Sequence, residues 1–109
     1  MNECEILLKS LADAKAEGIN PSIYTHPLGL FGHSAGAVFG MWDQQDGVPG
    51  TGEYPLYENT AYAIELNVKV FIPEWDREIR IMLEEDGFWG ADGFRYINER
   101  QTYIFKIFP

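Results

Sequence analysis

The sequence has little of what several function classes require. Among 109 residues there is a single cysteine, Cys4, so no internal disulfide forms and a reducing, cytoplasmic setting is expected. Basic residues are scarce as well: eight Lys plus Arg stand against seventeen Asp plus Glu, a net charge of -9. A surface of that sign repels phosphate backbones and anionic lipid, which argues against nucleic acid and membrane surfaces as partners. Long hydrophobic runs are missing. Ile6-Leu7-Leu8 is short, and Glu3 and Glu5 precede it where a signal peptide carries basic residues, so neither a leader nor a membrane span is expected. The chain also lacks internal repeats, low-complexity tracts and linkers. At 109 residues it reads as a single domain, 1-109, able to bury roughly 65% of its unfolded surface.

What is present divides into a helix and several strands. Asn2 can cap a helix, Glu5 can reach back to it, and Cys4, Leu7, Leu8, Leu11 and Ala14 recur at helical spacing. Gly18 and Asn20-Pro21 stop it, so the spacing predicts a helix from about Glu3 to Glu17. Ala37 to Trp42 suits a short apolar strand, and the Gly, Pro and Asp content of Asp43 to Thr60 describes a long surface loop. Ala61 to Ile72 alternates strictly, with Tyr62, Ile64, Leu66, Val68 and Val70 on one face and Glu65 mid-strand on the other. After the turn at Pro73 to Asp76, Arg77 to Glu85 predicts an antiparallel partner, with Arg80, Met82 and Glu84 sharing a face. Gly87, Gly90 and Gly93 break the chain again, and Gln101 to Phe108 predicts a last strand. The expected class is α+β: one long N-terminal helix on a curved, mainly antiparallel sheet.

The chemistry gathers at Thr25 to Gly36, where His26 and His33 lie in a turn punctuated by Gly29, Gly32 and Gly36. Glycine there lets the backbone bend sharply and aim the His33 imidazole, and a neutral imidazole so held is a good metal ligand. Downstream, Glu65 and the Glu84-Glu85 pair lie on neighbouring predicted strands. One histidine and two carboxylates outline a site for Mn, Co, Fe or Zn. Spacing alone leaves two readings open, that metal site or a structural loop histidine with solvated strand-end glutamates.

Gly32-His33-Ser34-Ala35-Gly36, then Thr60 to Glu65, then Leu83-Glu84-Glu85-Asp86 resemble, in order, motifs in the C-terminal half of the pita-bread metallopeptidases. The look is closest to the Xaa-Pro aminopeptidase and prolidase branch. The resemblance implies half of a pita-bread fold and a centre of two divalent metal ions (Mn, Co, Zn or Fe), acting on a peptide substrate. It also implies the site residues: His33 and Glu65 bind one ion, Glu84 bridges both, with Glu85 as the alternative, and His26 contributes to substrate binding. The chain departs from the pattern in three ways, the first being the longer spacing from His26 to His33, where Leu28-Gly29-Leu30-Phe31 intervenes. Gly40-Met41-Trp42-Asp43 stands where the family has a further histidine, so Trp42 walls the pocket instead, and the two aspartates that complete the centre have no counterpart here.

Two functional expectations follow. The first is a catalytic half-domain, inactive alone, which needs its missing N-terminal half or a homodimer to complete the site. The alternative is a non-catalytic binding or assembly module on the same scaffold. In either case Phe39, Tyr62, Ile64 and Tyr103 to Phe108 are expected to form exposed apolar surface that favours association.

Overall fold

The computed structural model describes residues Met1 to Pro109. Helix α1 spans Glu3–Ala16, followed by strands β1 (Asn20–Pro27), β2 (Thr60–Ile72), β3 (Arg77–Gly90) and β4 (Gly93–Tyr96). Short 3₁₀ turns lie at Thr51–Glu53 and Pro73–Trp75. The class is α+β, with one helix and a four-stranded antiparallel sheet in the order β1-β2-β3-β4.

Helix α1 begins where its cap predicts. Asn2 Oδ1 accepts from the Glu5 amide at 2.9 Å and Glu5 Oε2 accepts from the Asn2 amide at 2.8 Å, so two of the orphan amides of the first turn are satisfied reciprocally. Its buried stripe is Leu7 and Leu11, whereas Leu8 is 47% exposed. The helix packs against β1 and the Thr51–Glu53 turn. Close approach there depends on Gly40, whose φ of 69° is left-handed and whose added Cβ would lie 2.8 Å from the Ile23 carbonyl oxygen and 3.0 Å from Leu7.

The β2–β3 ladder runs from Thr60 opposite Trp89 to Ile72 opposite Arg77. Alternation then sorts the two faces. Tyr62, opposite Pro27 on β1, is buried on the helix side, where its hydroxyl donates to Glu3 Oε1 at 3.3 Å. Glu65 points to the other side, in line with its cross-strand partners Tyr24 and Glu84.

Four expectations change. Asn20-Pro21 follows the end of the helix as expected, but the chain from there to Pro27, His26 included, forms β1. Its Pro21 and Pro27 are tolerated because β1 is an edge strand, hydrogen-bonded in the ladder to β2 alone. Strand β3 continues through Gly87 to Gly90 and turns into β4, because the hairpin partner supplies the ladder that glycine propensity opposes. Ala37 to Trp42 forms no strand, only isolated bridges from Phe39 to Thr25 and from Met41 to Gln44. Gln101 to Phe108 has strand composition but no strand, since no neighbouring backbone pairs with it. The apolar surface differs in part: Tyr62 is 3% exposed and packs at a tilt against Phe39, Ile81, Met82 and Leu83 are open to water, and the Tyr103 to Phe108 segment is exposed as expected.

Candidate metal centre

Strand alternation brings His26 to the face that carries Glu65. His26 pairs with Ala63 and Tyr24 pairs with Glu65, so His26 lies diagonally across the ladder from the carboxylate. Its Nε2 is 2.7 Å from Glu65 Oε1 and its Nδ1 is 3.0 Å from the Pro27 carbonyl oxygen. Both partners are acceptors, so which nitrogen donates depends on the tautomer, and the Nδ1–H tautomer is the one that leaves Nε2 free to ligate. That tautomer fixes the ring and turns Nε2 toward the carboxylate, the arrangement that makes an imidazole ready to ligate.

The following loop sets the second imidazole over the first. The Pro27 carbonyl also accepts from the Ser34 amide at 2.9 Å, and the Gly32 amide donates to the Gly29 carbonyl at 3.0 Å, which folds 28–33 into a tight excursion. Gly29 is required for space: a Cβ on it would lie 2.6 Å from the His33 carbonyl oxygen. The His33 and His26 rings stack with centroids 4.1 Å apart and planes 13° from parallel. Ligand atoms of His26, His33 and Glu65 then all lie within 4.8 Å of one another. His26 and Glu65 are largely shielded, with side chains 14% and 18% exposed, whereas His33 is open to solvent.

Of the residues expected from sequence, His33 and Glu65 are brought together, and His26 joins them more intimately than its expected substrate-binding role implies. Glu84 lies directly opposite Glu65 on the same face, but it is exposed and outside the convergent trio. Glu85 lies opposite Ile64 on the other face, where its Oε1 accepts from the Gln101 amide at 2.9 Å. Asp86 belongs to β3 and pairs with Ala63.

Tyr24 joins the site with no motif in the sequence to mark it. The neighbouring Glu65 carboxylate, together with burial and the charge of Glu84, raises the Tyr24 pKa above the usual phenol value. The signal was available in the period-two spacing of Tyr24 and His26, had β1 been read as a strand. Beside the trio a recess of 260 Å³ is lined by Tyr24, His26, His33, Val38, Met41 and Trp42 among others, so Trp42 does wall the neighbouring cavity.

Two imidazole nitrogens and one carboxylate oxygen match the donor preferences of a single borderline divalent ion such as Zn, Co, Mn or Fe. They do not match a two-ion centre, for which one convergent carboxylate is too few anionic oxygens. Comparison with models of protein families, with curated proteins and with solved structures found no match.

Proposed function

We propose that this chain supplies the His and Glu part of a hydrolytic metal centre, as a catalytic half-domain of the Xaa-Pro aminopeptidase-like type. The observation that carries the reading is the convergence within 4.8 Å of ligand atoms of His26 on β1, His33 in the loop that follows it, and Glu65 on β2, 39 residues beyond His26. In this reading His26 and Glu65 hold the ion, His26 being oriented by the Pro27 carbonyl, and the exposed His33 completes the near shell from the loop. Glu84, one strand over, is placed to take a second ion or a substrate amine once further carboxylates from outside this chain are added. A bound divalent ion supplies Lewis-acid polarisation and an activated water for peptide hydrolysis. The chain's own residues hold, orient and shield; the recess at Trp42 and Met41 offers apolar walls to a substrate side chain.

Calorimetric titration with Zn²⁺, Co²⁺ and Mn²⁺, paired with an Xaa-Pro peptide assay, tests this. One ion is expected to bind, binding is expected to disappear in His26→Ala, and turnover by the isolated chain is expected to be negligible. Binding that survives His26→Ala refutes the metal centre, and turnover abolished by His33→Ala refutes the half-domain reading. The non-catalytic alternative has its own support: His26 and Glu65 already satisfy each other at 2.7 Å without an ion. Absence of metal binding in the titration selects it.

A further inference from the structure

The sheet ends on an edge that no strand pairs with from Arg77 to Glu85, although the chain at Asn98 to Gln101 passes beside its far end. Strand β4 pairs with β3 only from Gly87 to Gly90, so β3 from Arg77 to Glu85 has a ladder on its β2 side alone. No backbone hydrogen bond outside the ladders reaches 77–85. The Asp86 carbonyl accepts from the Ile97 amide at 2.9 Å, which shows that even-numbered residues of β3 turn their backbone groups away from β2. Glu78, Arg80, Met82 and Glu84 therefore present free N–H and C=O groups to solvent. The side chains around them are unusually apolar for an edge, with Ile81, Met82 and Leu83 at 46%, 59% and 49% exposure.

We propose that this edge pairs with the same edge of a second copy, antiparallel about a twofold axis at Met82, to form one continuous sheet. The register follows from the backbone. A symmetric pairing must set outward residues against outward residues, so the two partner numbers must sum to an even value. Centring on Ile81 sets Glu78 against the partner's Glu84, a like-charge pair on one face. Centring on Met82 sets Arg80 against the partner's Glu84 and Glu84 against the partner's Arg80. It also sets Ile81 against the partner's Leu83 and Met82 against its own copy. Within 79–85 this register has no like-charge pair, its one such pair, Glu78 against the partner's Asp86, falling where Ile97 already holds the Asp86 carbonyl, and hydrogen-bonded pairs at 80, 82 and 84 use every free group they carry. Farther along, Ile97 already occupies Asp86, which limits the pairing to this window. The net charge of -9 opposes association at long range, but the contact itself is charge-complementary.

The inference shares Glu84 with the proposed site but none of the convergent trio, and its test is the oligomeric state of the purified chain by sedimentation equilibrium. Arg80→Glu and Glu84→Arg each place like charges across the twofold, and the double variant restores opposite charges with the two roles exchanged. Arg80 and Glu84 are both exposed, so the fold is expected to be retained, as circular dichroism checks for each variant. The wild-type chain is expected to dimerise, each single variant to weaken the dimer on the order of tenfold or more, and the double variant to recover it. A monomeric wild type overturns the proposal, including one in which the chain's own Tyr103 to Phe108 segment takes the edge. A dimer indifferent to both single variants, or a double variant that stays monomeric, overturns it equally.

Discussion

Glu3 gives the sharpest quantitative test of the packing. Its residue is 0% exposed, Oε1 accepts from Tyr62, and Oε2 has no partner. Burial pushes its pKa up to about 7 from 4.5, against a smaller lowering by the Tyr62 hydrogen bond. The perturbation is pH, with Glu3→Gln as the reference, because glutamine matches the neutral acid in shape and does not titrate. Below pH 4.5 both folded and unfolded chains hold the proton, and the stabilisation is fully present. Between pH 4.5 and about 7 the unfolded chain has released it while the folded chain retains it, so raising the pH favours unfolding. The slope approaches about 1.4 kcal/mol per pH unit, or ~3 kcal/mol across the window as an upper value. Tyr62 stays out of this window, its hydroxyl being pushed up to about 12 by burial and by Glu3. The assay is urea denaturation of both proteins from pH 4 to 8. Wild-type stability minus that of Glu3→Gln is expected to fall as pH rises and to level off above about 7. A difference that stays flat, or rises, refutes the claim that Glu3 is folded into the core as a neutral acid.

Three further outcomes follow from the site and the core. Glu65→Gln is expected to weaken divalent-ion binding roughly 10–100-fold, and Glu84→Gln much less, because only Glu65 belongs to the convergent trio; equal losses in titration calorimetry would refute that ranking. Gly29→Ala is expected to displace the His33 loop, since its Cβ meets the His33 carbonyl oxygen at 2.6 Å. It should weaken metal binding with little change in the circular dichroism of the sheet. Gly40→Ala is expected to cost on the order of 1–3 kcal/mol in denaturant unfolding, given its φ of 69° and the Ile23 carbonyl oxygen 2.8 Å from the new Cβ.

Where a segment's partner lies next to it in the chain, local pattern was enough. The capping box at Asn2 and Glu5 placed α1, and the strict alternation of Ala61 to Ile72, followed by a short turn, placed β2 and its antiparallel mate. The same alternation put Glu65 and Glu84 each on one face of its strand, and the β2–β3 register sets them opposite each other. Long-range pairing decided what pattern could not. Asn20 to Pro27 carries prolines that read as a stop, and it is a strand only because β2 offers a ladder to an edge that proline does not block. Tyr103 to Phe108 has the composition of a strand and remains outside the sheet because it finds no such ladder. The partnership of His26 with Glu65 has the same origin. The two are 39 residues apart in sequence, and their 2.7 Å contact exists because β1 pairs with β2 in a register that sets His26 against Ala63. A shift of one residue would turn the imidazole to the helix side of the sheet and leave the carboxylate alone.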